Sequence, residues 1–184
     1  MINTQTEIVT GFNADFKTPV TDVSQPVFFP VSIRKLIVML ICTLSFYQIY
    51  WFYKNWQLIK IREKINISPA PRAIFAIFFC HQCFARIKNF DAPAAANSKL
   101  AARGLASGWL VLTLLSNISF PYSLLGFFAF IFFIPVQICV NRINTAVSPE
   151  HDPNSRFSGW NGAIITLFII VLILTLIGFA RVSK

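Results

Sequence analysis

GLASGWLVLTLLSNISFPYSLLGFFAFIFFIPVQICVN, residues 104–141, runs for 38 residues without an Asp, Glu, Lys, Arg or His. One helix crossing a bilayer needs roughly 20 mostly apolar residues, so this stretch has room for two. Ser119-Phe120-Pro121-Tyr122 lies near its middle, and serine and proline are residues that favour a turn. The run therefore reads as a helical hairpin with spans at 104–120 and 122–140. Its solvent is lipid, and the chain is read as an integral membrane protein.

The composition agrees. Hydrophobic residues make up 55% of the 184 and mean hydropathy is +0.63, more apolar surface than a soluble domain of this size can cover. The length suits one bundle. The net charge is +9. Most basic residues flank apolar stretches, where they set topology and meet anionic headgroups. The charge is therefore assigned to anionic membrane lipids as partners, with no nucleic acid.

Outward from the hairpin, residues 1–32 are polar, with Glu7, Asp15 and Asp22 against Lys17. They lack the basic start and apolar core of a secretory signal. Pro19, Pro26 and Pro30 oppose a helix. The segment reads as a flexible tail, with extended docking of Val27-Phe28-Phe29 as the alternative. A single domain follows over 33–184. Ser32 can cap a helix at Ile33, and the first span is placed at 36–53.

The second half of that span is rich in aromatic residues. Tyr47, Tyr50, Trp51, Tyr53 and Trp56, with Lys54, are expected at the headgroup level, where a ring can be half buried with its polar tip wet. An aromatic cage for a cation is the alternative. Beyond it, Leu58, Ile61 and Ile65 form one stripe of a helix, and Lys60 and Lys64 form another. Residues 73–90, ending with Arg86 and Lys88, hold too short an apolar run to cross. They read as an interfacial or half-inserted helix. The last span is 162–180, with Trp160 at its entrance.

Lys and Arg counts set the orientation. Residues 54–103 carry nine, Arg142 and Arg156 join them, and the other side holds Lys17, Arg34, Lys35, Arg181 and Lys184. The positive-inside rule places 54–103 and 141–161 in the cytoplasm and both termini outside. Arg34 and Lys35, directly before the first span, oppose that assignment.

Polar residues at membrane depth are costly and often functional. Gln48, Asn117 and Gln137 stand out, with Asn141 a turn beyond Gln137. Cys80-His81-Gln82-Cys83 places two thiols on one helical face. A structural zinc site wants four ligands and no second pair appears, so the cysteines read as buried apolar residues. No catalytic, cofactor-binding or metal residue is assigned, and no cofactor is expected.

Tyr47-Gln-Ile-Tyr-Trp-Phe-Tyr-Lys-Asn-Trp56 resembles a Tyr-x-x-Tyr-Trp-Phe-Tyr-Lys-x-Trp-like signature of small bacterial inner-membrane proteins of unknown function. Phe29 to Lys35, Pro71 to Phe75 and Pro135 to Asn144 are similar to such proteins too. The resemblance covers most of 28–180. It implies a class and a compartment, a multi-pass protein of the cell inner membrane, and no reaction.

The expectation is an all-α membrane protein with about four transmembrane helices plus the interfacial segment. Its function is non-enzymatic, binding lipid, a protein partner or a second copy. The alternative is a small transport or permeation protein acting as an oligomer, with Gln48, Asn117 and Gln137 lining a path.

Overall fold

The stretch after Ser32 bends before it can cross anything. The computed structural model describes residues 25–91, 100–119 and 122–182. Helix α1 covers Ile33–Cys42 and α2 covers Tyr47–Glu63. Between them Leu44 and Ser45 adopt φ of 48° and 70°, the left-handed region that residues with a Cβ rarely visit. Thr43 braces this corner. Its hydroxyl donates to the Met39 carbonyl at 2.7 Å and accepts from the Tyr47 N–H at 3.0 Å, offering the backbone an alternative to the helical ladder. The expected span 36–53 is thus two helices. With 10 residues, α1 reaches about 15 Å, half the hydrocarbon thickness of roughly 30 Å. Its start is as expected, with Ser32 accepting from the Lys35 N–H.

The segment expected at 73–90 is also broken. Helix α3 is Pro69–Ile74 and α4 is Ala76–Lys88, with Phe75 between them outside helical geometry. Next come α5, Ala102–Leu115, the single turn α6, Ser123–Gly126, a 3-10 helix at Phe127–Phe132, and α7, Phe133–Val147. Two glycines allow the close approach of the hairpin's arms. A Cβ on Gly108 would lie 2.4 Å from the Phe132 ring, and one on Gly126 would lie 2.2 Å from the Ser116 Cβ and 2.9 Å from its Cα. The two pairings run in opposite senses along the chain, so the arms are antiparallel, as the sequence implied. The first arm is shorter than expected: its 14 residues span about 21 Å. Phe120 and Pro121 of the expected turn lie outside the described residues.

Helix α8 covers Gly159–Val182. Nothing in its apolar stretch is buried, and a helix apolar on every side and uncovered by protein is suited to lipid. Phe127–Val147 and Gly159–Gly178 are the two described segments long and apolar enough to cross a membrane. The described residues are helical without strands, and two of the four expected spans meet the length and apolarity of a crossing as single helices. A run's apolarity does not reveal the corners at 43–46 and after Leu115.

The core is aromatic. Trp51 and Phe52 of α2, Phe84 of α4, Trp109 of α5 and Phe133 of α7 converge, with Trp51 and Phe133 edge to face at 5.1 Å and Phe52 within 6.1 Å of Phe84, Trp109 and Phe133. Such geometries suit the ring quadrupole.

Across this core lies an extended strap, residues 25–32. Phe28, Phe29 and Val31 are buried, and the strap's backbone is paired mainly by side chains. Asn144 Oδ1 accepts from the N–H groups of Val27 and Phe28, and its Nδ2 donates to the Phe28 carbonyl at 2.8 Å. Asn55 accepts from the Phe29 N–H, and Gln137 donates to the Phe29 carbonyl. Asn154 and Asn141 donate to the carbonyls of Pro30 and Val31. Ser148 and Arg62 serve Gln25 and Val27. Of the region read as one flexible tail, 1–24 lie outside the described residues, and 25–32 are docked. The amides that hold the strap come from distant positions, so its own sequence could not show the docking.

Two outcomes test this packing. Gly126→Ala should lower the stability of the detergent-purified protein by about 1–3 kcal/mol, read as a drop in Tm by circular dichroism. An unchanged Tm would mean the arms are not in contact there. Asn144→Ala strands two buried backbone groups of Phe28 and the partly buried N–H of Val27, and should cost on the order of 3 kcal/mol. The Val27 and Phe28 amides should then exchange hydrogen faster than in the parent, and equal protection would refute the strap.

Candidate functional site

The residues expected at the lipid boundary separate into two groups. Trp51 and Trp56 are wholly buried, and Tyr47 nearly so. These three face protein, which corrects the anchor reading for them: Trp51 packs on Phe52, Phe84 and Phe133, Tyr47 on Tyr50, and Trp56 under Arg72 and Arg86. Tyr50 is exposed, with Lys54 Nζ 5.8 Å from its ring centre. Tyr53 is half-buried and accepts from Gln57 Nε2. Lys60, Lys64 and Lys88 are exposed. Arg86 is paired with Glu63, which also binds Arg62 at 3.0 Å.

The three membrane-depth polar residues do not converge. Gln137 is buried in the strap network, where Oε1 accepts from Trp51 Nε1 at 2.6 Å. Gln48 accepts from Trp109 Nε1 at 3.0 Å. Asn117 is exposed beyond the end of α5 and donates to the Thr113 carbonyl.

What the fold does assemble is a cationic rim on an apolar patch. The Arg72 guanidinium lies 4.8 Å from the ring centres of both Trp56 and Phe79. It donates to Gln82 Oε1 at 3.0 Å. Two rings and an amide hold it in place, and no described carboxylate lies within 4.0 Å of it. Next along the chain, Ile74, Phe75 and Phe78 are 65%, 56% and 73% exposed. They are the outward face of the break between α3 and α4. Trp56 Nε1 beneath is buried without a hydrogen-bond partner. Nearby, Arg62 lies 4.5 Å from the Phe28 ring centre and 4.9 Å from that of Phe90. Burial, then the like charge of Arg86, lower its pKa from 12.5 to about 10, which leaves it cationic at neutral pH.

A second boundary feature is a cleft of about 1060 Å³ between α1, the 148–158 loop and α8. Lys35 is only 3% exposed there. Its Nζ donates to Asn154 Oδ1 at 2.7 Å and to the Arg156 carbonyl at 2.8 Å. With the Asn161 amide oriented to satisfy its neighbours, Oδ1 accepts from the same Nζ at 3.0 Å. Lys35 therefore shares one level with the 148–158 loop. The orientation count had put the two on opposite sides of a span at 36–53, and the corner at 43–46 removes that span.

Among the described residues no group of three or more His, Cys, Asp or Glu comes together around the thiol pair. Burial raises the Cys80 thiol from 9.0 to about 11 and Cys83 further, the second thiol adding to it.

No protein-family model, curated protein or solved structure matches this chain. Its chemistry is therefore read from its own geometry. Sequence reasoning passed over Arg72, Phe79 and Gln82, because a cation between two rings needs α2, α3 and α4 in contact. Spacing held a clue to the strap, since Gln137, Asn141 and Asn144 share one helical face at i, i+4 and i+7.

Iodoacetamide at pH 8 should modify Cys80 and Cys83 slowly in the folded protein and readily after unfolding, because the thiolate is the nucleophile. Both folded pKa values are raised, so the folded state keeps protons that the unfolded chain loses. Stability from these thiols is full below about pH 9 and falls as pH rises toward 11. Equal alkylation rates, or rising stability over that window, would contradict their burial.

Proposed function

We propose that this chain is a non-enzymatic component of a bacterial inner membrane that engages anionic lipid through the face built by α2, α3 and α4. The observation that carries this reading is Arg72, clamped between Trp56 and Phe79 beside exposed Ile74, Phe75 and Phe78. A planar guanidinium without a carboxylate suits a phosphate, which it can bind with two parallel N–H groups. Exposed apolar side chains alongside suit the acyl region just below. Lys60, Lys64 and Lys88 add exposed charge, each worth about 1 kcal/mol near an anionic surface.

The topology supports the same placement. Arg62 donates to the carbonyl of Val27, and Ser148 to that of Gln25. The strap thereby ties the end of α2 to the end of α7, so 54–103 and 141–161 share a side, and positive-inside counting makes it cytoplasmic. In this reading α5 and Phe127–Val147 cross the bilayer as an antiparallel pair that leaves and returns to one side, Gly159–Gly178 crosses it once more, and the interfacial segment lies on its cytoplasmic face.

The test is lipid retention. The protein is reconstituted in nanodiscs of phosphatidylcholine with a minor share of phosphatidylglycerol, then released into detergent for native mass spectrometry. The parent should carry phosphatidylglycerol above its share. Arg72→Gln combined with Lys60→Gln and Lys64→Gln should remove about 2–3 kcal/mol of that preference, visible as a return to the bulk ratio. Enrichment that survives the triple change would refute this face as the lipid contact.

A further inference from the structure

We infer that the cleft between α1, the 148–158 loop and α8 holds one phospholipid, with its anionic phosphate at Arg156 and an acyl chain along α8 toward Phe46 and Phe168. The inference rests on the membrane reading of the chain and is independent of the Arg72 face.

Polarity is ordered along the cleft. Lys35, Asn154, Arg156 and Asn161 line one end, and Phe46, Ile164 and Phe168 line the other together with the rings of Tyr47 and Tyr50 and with Thr43, whose hydroxyl is already paired. The Lys35 contacts fix the polar end at the starts of α1 and α8. The Phe46 and Phe168 rings meet with centres 5.4 Å apart, beyond the end of α1 and more than two turns into α8. The two helices therefore run the same way, and the cleft descends from a loop at headgroup level into the depth of the α8 span. A phospholipid has this sequence of polarity, whereas a soluble polar ligand lacks the apolar half. The volume of about 1060 Å³ is at the upper end of roughly 300–1,000 Å³ for small-molecule sites, so there is room for a chain.

Charge selects the headgroup. Lys35, Arg156 and Asp152 are the charged groups lining the cleft, a balance of one positive charge. Lys35 has its protons committed to the loop and α8, so it holds the mouth in shape and contributes field. Asp152 Oδ1 accepts from the Asn154 N–H and shapes the loop. Arg156 is exposed, and its guanidinium has no described carboxylate within 4.0 Å. It is the group able to contact a phosphate. Trp160, also lining the cleft and 81% exposed, suits a headgroup-level neighbour.

The experiment is photolabelling of the full chain in nanodiscs with phosphatidylglycerol carrying a diazirine in its acyl chain, followed by peptide mapping. Adducts should concentrate on peptides containing Phe46 and residues 164–168. Arg156→Gln should reduce that labelling about fivefold, the worth of one cationic contact at a membrane surface, and inorganic phosphate should not compete. Ile164→Trp fills the apolar half and should abolish labelling at Phe46 whatever the headgroup. Unchanged helix content by circular dichroism shows that each variant is folded. If one unfolds, the other decides. Labelling spread evenly along α8 and indifferent to both substitutions would mean annular lipid only, and the inference falls. Arg72→Gln should leave cleft labelling intact, so loss of the α2–α4 lipid preference and loss of the cleft site are read separately.

Discussion

An extended backbone in an apolar interior must find partners for its N–H and C=O groups, and here the strap over residues 25–32 obtains most of them from side chains. Asn144 alone exchanges three hydrogen bonds with Val27 and Phe28, much as a neighbouring strand would. Gln137 and Asn141 of the same helix, Asn55 of α2 and Asn154 of the 148–158 loop continue the ladder. An unpaired buried backbone group costs about 1–3 kcal/mol, so the strap is stable only when α2, α7 and the 148–158 loop are all in place. The other side of that dependence is that the amides themselves would be buried and unsatisfied without the strap.

This constraint explains why the two candidate spans differ. Phe127–Val147 is 44% buried over its apolar window and carries Gln137, Asn141 and Asn144 toward protein, whereas no residue of the Gly159–Gly178 window is fully buried. Polar groups are tolerated in the first because each has a partner. The second contains little to satisfy and meets the rest of the chain mainly through α1. The cleft lies at that sparse junction, and Lys35 closes its polar end.

The cationic rim follows a related logic. Trp56 and Phe79 are not anchors in their own right; they are the walls that hold Arg72 still. A guanidinium stacked on aromatic faces loses little entropy when it binds. The break at Phe75 then turns Ile74, Phe75 and Phe78 outward, and so apolar and cationic groups meet at one edge.

The helical class, the antiparallel hairpin, the cap at Ser32 and two apolar helices long enough to cross a membrane were legible in the sequence, because these follow from local composition, periodicity and single side chains. The exposed lysines at 60, 64 and 88 were legible for the same reason. The helix break in the expected 36–53 span came only from the tertiary fold, since the corner at Thr43–Phe46 depends on a hydroxyl bond and two left-handed residues that apolarity does not signal. The tertiary fold also turned Trp51, Trp56 and Gln137 toward protein, docked residues 25–32, set Arg72 between two rings and tied Lys35 to the 148–158 loop. Each of those outcomes joins residues from separate elements, some more than 100 positions apart. The deciding quantity is the pairing of buried polar groups, which no local window of sequence contains.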